Sequence, residues 1–147
     1  MSTTTFDGAT AASPLSDPLD EASTWLRMAV AVPYDSRDPT AWIREFQLCV
    51  ASARRVLAAR GMALRDESGF PPRLRALAGR EADAHEQVTR MSDDLFTDAY
   101  LATQPDLLDM VDLVEAAKEL EQALEGLRER RSDLLFEATY RDLGGGG

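Results

Sequence analysis

Cysteine is nearly absent: Cys49 stands alone among 147 residues. A single thiol excludes an internal disulfide framework and a multi-cysteine zinc site, and it fits a reducing compartment. Histidine also occurs once, as His85. A di-iron bundle needs a Glu-x-x-His motif on each of two helices, and the chain has none. A nucleophilic pair needs a base beside its serine or cysteine, and His85 has no evident partner of either kind. Its expected place is the boundary of a helical core. Phosphate-cradling loops of the Walker or dinucleotide type are missing. The terminal glycines Gly144 to Gly147 follow a helical pattern and do not precede one, so they offer no helix N-terminus to an anion. No run approaches the ~18 apolar residues of a membrane span, and no basic, long-apolar leader opens the sequence. Cytoplasm is therefore the expected compartment. No alternating strand pattern and no internal repeat occur. From the sequence, no catalytic residue, no metal ligand and no cofactor is assigned.

Lysine is scarce as well: of 16 basic residues only Lys118 is not arginine. The formal net charge is −10, unevenly spread: −4 over residues 1–50, +3 over 51–90 and −9 over 91–147. An acidic chain is a poor nucleic-acid binder, because phosphate contacts need clustered cations. The arginines Arg54, Arg55, Arg60, Arg65, Arg73, Arg75 and Arg80 are the one candidate basic patch.

What remains is helix. Residues 1–16, rich in Ser, Thr and Ala, bury too little apolar surface to offset ordering and read as a flexible tail. Asp17-Pro18 opens a short helix with Trp25, Leu26, Ala29 and Val32 on its apolar face, and Pro33 stops it. Asp38-Pro39 repeats the start device. A helix to about Arg60 follows, closed by Gly61. Trp42, Phe46, Cys49, Ala53 and Val56 form its seam, which buries Cys49 as an inert thiol. After a turn-rich connector, Pro71-Pro72 opens a third helix running to about Ala102. Its seam of Leu74, Leu77, Glu81, Ala84, Val88, Met91, Leu95, Asp98 and Ala102 is interrupted by two acids.

The last helix is the longest and organises the rest. Met110, Leu113, Ala117, Leu120, Leu124, Leu127, Arg131, Leu134 and Ala138 recur in steps of three and four, a seam that needs partner helices. Val111, Val114, Leu135 and Phe136 widen the stripe. Thr103 caps the start, with Pro105 in the first turn and Asp106 at the positive helix end. Only two or three residues join this helix to the one before it, so the two are antiparallel neighbours.

The expected fold is all-α: an antiparallel bundle of three long helices and a short N-terminal one over 17–143, between a flexible N-terminal tail (1–16) and a flexible glycine tail (144–147). Folding the hairpin about 103–104 brings Glu81 near Arg128 and Arg131, the predicted structural polar layer. Gly79 and Gly126 also fall near one another, either exposed and neutral, the reading preferred, or allowing a close backbone approach or a shared bend. Asp106, Asp109, Asp112, Glu115 and Glu119 mark a possible interaction surface. The expected function is a non-enzymatic protein–protein interaction module: an adaptor, a regulatory partner or a homo-oligomeric scaffold. The expected partner is a protein or a second copy, without nucleic acid or membrane. The alternative is a ligand-sensing or enzymatic bundle with a small-molecule pocket between helices.

Overall fold

The computed structural model describes residues 17–64 and 72–145. They form four helices: α1 (Pro18–Ala31), α2 (Pro39–Leu64), α3 (Pro72–Leu101) and α4 (Leu107–Gly145). Each packs on its neighbours in a ring: α1 on α2, α2 on α3, α3 on α4, and α4 back on α1. The result is an all-α four-helix bundle whose first helix, at 14 residues, is shorter than the other three. The tail expected over residues 1–16, Arg65 to Pro71 of the connector, and Gly146 and Gly147 lie outside the described residues.

Proline and aspartate set three of the helix starts as the sequence implies. Pro18 occupies the first turn of α1, and Asp17 accepts a hydrogen bond from the Leu19 amide at 3.0 Å. Asp38 does the same for Ala41 at the start of α2, at 3.3 Å. Pro72 opens α3. Such caps satisfy amides that the first turn leaves without intrahelical partners.

Three boundaries differ from expectation. Helix α2 continues through Gly61 to Leu64, because no described glycine takes a positive φ that would turn the chain away. Helix α4 begins at Leu107, capped by Asp106 in place of Thr103. The Asp109 amide donates to Asp106 Oδ1 at 2.8 Å, and the Asp106 amide donates to Asp109 Oδ2 at 3.2 Å. This reciprocal arrangement is a capping box with aspartate in the third position. At its other end α4 runs through Gly145, two residues past the expected stop.

The core is one cluster. Leu19, Leu26 and Ala29 of α1 meet Trp42, Phe46, Val50, Ala53 and Leu57 of α2; Val88, Leu95 and Ala99 of α3; and Leu113, Ala117, Leu120, Leu124 and Leu127 of α4. The Trp42 ring stacks on Phe46 at 4.8 Å and meets the edge of Tyr34 at 5.8 Å. The inward line of α3 is Ala78, Glu81, His85, Val88, Ser92, Leu95 and Ala99. It is displaced from the sequence seam, and Asp98 is exposed. On α4, Val114 packs against the core, but Val111, Leu135 and Phe136 are exposed.

Polar contacts tie the elements at fixed heights. Gln47 Nε2 donates to the Ala99 carbonyl at 2.7 Å, and Arg54 bridges to Asp93 at 2.6 Å while lying over the Phe96 ring at 4.7 Å. The Tyr34 hydroxyl donates to the carbonyl of Pro105 at 2.9 Å, joining the α1–α2 loop to the α3–α4 loop.

Candidate functional site

Two features stand apart from a plain apolar bundle. One is inside it, where α2 ends and α3 begins. Arg60, Glu81 and His85 are all buried there. Arg60 Nη2 meets Glu81 Oε1 at 2.5 Å. A buried charge pair offsets its own desolvation only when its geometry is good, and it punishes loss of either member.

His85 sits beside this pair. The lone hydroxyl proton of Thr89 goes to the His85 carbonyl at 3.0 Å. The same hydroxyl oxygen lies 3.4 Å from Nδ1. Nε2 is buried without a hydrogen-bond partner among the described residues. Burial, and then the Arg60 charge, lower its pKa from 6.5 to about 4. His85 is neutral at pH 7.

Gly61 explains how the ring fits. A Cβ there would stand 3.0 Å from His85 Cε1 and 3.4 Å from Nδ1. The glycine lets the imidazole lie against the backbone of α2. His85 is therefore a core residue and not the boundary residue expected from the sequence.

The predicted polar layer differs in its partners. Glu81 pairs across to α2, through Arg60. Arg128 pairs with Asp20 at 2.9 Å and Glu125 at 3.0 Å, and Arg131 with Asp17 at 3.1 Å. The hairpin register considers α3 and α4 only. In a ring of four helices each has two neighbours, and here the α3 acid turns to α2 while the α4 arginines turn to α1. The same folding rule applied to the α2–α3 connector brings Arg60 toward the first turns of α3, and that is the signal the hairpin alone omits.

The hydroxyl that meets the His85 ring is that of Thr89, and it donates to the His85 carbonyl. Ser92 donates its proton to the Thr89 carbonyl at 2.7 Å. Cys49 is buried, and burial followed by the Glu45 charge raises its pKa. The arginine patch is divided too: Arg54 is held by Asp93 and Arg60 by Glu81.

The second feature is outside, at the tip of the α3–α4 hairpin. Leu101, Leu107 and Leu108 are 70, 60 and 71 % exposed, and Val111 is 42 % exposed. At about 100° per residue, Leu107, Leu108 and Val111 lie on the side of α4 away from its buried line. Of the predicted surface acids, Asp106 and Asp109 cap each other. Asp112, Glu115 and Glu119 are exposed on the outer side, with Lys118 reaching Glu115 at 3.4 Å.

Two grooves accompany these features. One of about 510 Å³ runs between α3 and α4 over Ala84, Val88, Ala123 and Gly126. Another, of about 570 Å³, lies between α1 and α2 and is lined by Glu21, Trp25, Arg55, Val56 and Arg60. Among the described residues no group of three or more His, Cys, Asp or Glu is placed to hold a metal, and no helix is long and apolar enough to cross a membrane. No protein-family model matches the chain, and no curated protein and no solved structure shows significant similarity to it.

Proposed function

We propose that the chain is a non-enzymatic protein–protein interaction module of the cytoplasm, an adaptor, regulatory partner or oligomeric scaffold, acting through the outer face of the α3–α4 hairpin. One observation carries this reading: Leu101, Leu107, Leu108 and Val111 stand exposed at the hairpin tip although the bundle core is already complete beneath them. Clustered exposed apolar side chains mark interaction surfaces in soluble proteins. The test compares the natural chain with a Leu107→Ser, Leu108→Ser, Val111→Ser variant by light scattering and by cross-linked partner recovery. Association lost in the variant is expected. A natural chain that stays strictly monomeric and recovers the same proteins as the variant overturns the reading.

A second reading is a small-molecule site in the α1–α2 groove. It is favoured by Arg60 Nη1, which is buried without a hydrogen-bond partner among the described residues while its side chain lines that groove beside Trp25 and Arg55. Native mass spectrometry of the purified chain separates the two readings: a retained small molecule supports the second, and a clean apo mass opposes it.

A further inference from the structure

We propose that the outer face of the α3–α4 tip is a docking surface for a basic amphipathic helix of another protein. This rests on the interaction-module reading and names the chemistry of the partner.

Charge decides the occupant. Between residues 94 and 119 the sequence carries Asp94, Asp98, Asp106, Asp109, Asp112, Glu115 and Glu119 against the single cation Lys118, itself paired with Glu115 at 3.4 Å. Asp94 and Asp98 on α3, and Asp112 and Glu119 on α4, are exposed and form no ion pair among the described residues. The acids flank Leu101, Leu107, Leu108 and Val111 on two successive helices. A second copy meeting this face about a two-fold axis would set acids against acids. Nucleic acid and anionic lipid are repelled for the same reason. A partner that buries apolar side chains while presenting lysine or arginine on both flanks satisfies both features.

Shape decides its form. Recognition by strand addition needs an open sheet edge, and every element among the described residues is a helix. The exposed set instead offers a ridge of side chains at helical spacing, Leu107 and Leu108 against Val111 one turn later. A helix with apolar residues three and four apart packs on such a ridge.

The test titrates the full chain with a synthetic amphipathic helical peptide of leucine and lysine, and with its leucine–glutamate counterpart, following backbone amides by NMR. The lysine peptide is expected to shift amides over 94–119. Leu108→Ser with Val111→Ser, and separately Asp112→Lys with Glu119→Lys, are each expected to weaken it about tenfold or more. Glu129→Lys, an exposed acid far from the tip, is expected to leave binding unchanged. An equal loss from Glu129→Lys means that net charge alone binds the peptide and overturns the proposal. Equal binding of the glutamate peptide, or self-association that Leu108→Ser abolishes, overturns the partner chemistry while leaving an interaction module. Serine variants that change neither peptide binding nor any association overturn both.

Discussion

At Gly61 a single hydrogen atom in place of a methyl group sets how closely α2 approaches α3. Alanine there gains about 1 kcal/mol of helix propensity but forces its Cβ against the fixed His85 ring at 3.0 Å. Overpacking a full core costs about 1–3 kcal/mol, so Gly61→Ala is expected to destabilise the bundle by about 1 kcal/mol in urea unfolding. Gly79 and Gly126 behave oppositely. A Cβ at either meets nothing within 4 Å, so Gly79→Ala and Gly126→Ala are each expected to stabilise by about 1 kcal/mol. His85 supplies a pH dependence. Its pKa falls from 6.5 in an unfolded chain to about 4 in the bundle, so between those values the unfolded state binds more protons. The contribution is fully present above about pH 6.5, is lost as pH falls toward 4, and amounts to roughly 3 kcal/mol at about 1.4 kcal/mol per unit. Unfolding free energies measured from pH 7 to pH 4 are expected to fall less steeply in His85→Gln than in the natural chain.

Among the elements, α2 and α3 are registered by a charge pair and α3 and α4 by apolar side chains. Neutralising one member of the Arg60–Glu81 pair strands the other in the interior. Glu81→Gln and Arg60→Gln are each expected to cost about 3–5 kcal/mol, while Arg60→Met with Glu81→Leu together restores most of the loss. A thermodynamic cycle over these variants measures the coupling. The helices themselves were legible in the sequence, because proline, aspartate and the three–four spacing of Leu113, Ala117, Leu120 and Leu124 act within one element. Arg60 as the partner of Glu81 was not, since two helices meet at that acid and the hairpin register describes only one of them. Gly61 looks like a helix stop in the sequence for a related reason: its function is visible only from the His85 ring that rests on it. The capping box of Asp106 and Asp109 shows the same limit. Thr103 and Pro105 carry equally good start signals, and Pro105 is instead buried, with its carbonyl taken by Tyr34.

Over the whole molecule, helix length is unequal. At about 1.5 Å per residue α1 spans about 21 Å and α4 about 58 Å, so four helices enclose the core only over the length of α1. Arg131 and Arg128, bridging to Asp17 and Asp20, mark where that enclosure stops. Amide exchange is expected to be slowest for Leu113 to Leu124 and Phe46 to Leu57, and faster in α4 over Ser132 to Phe136, where Ser132, Asp133, Leu135 and Phe136 are exposed. The candidate surface was half legible. Its acids are plain in the sequence, and Val111 reads there as part of the apolar stripe, but Leu107 and Leu108 precede the seam and are placed only by the buried line of α4.

The bond from Tyr34 to Pro105 bears on how fast anything meets that surface. It locks two loops together at the end of the bundle that carries Leu107 and Leu108. A face held in its final shape loses little freedom when it is covered. Capture there is then governed by encounter, quickened by the acidic field at low salt, and the lifetime of the pairing is left to the leucines. Tyr34→Phe loosens this clamp without touching the face itself.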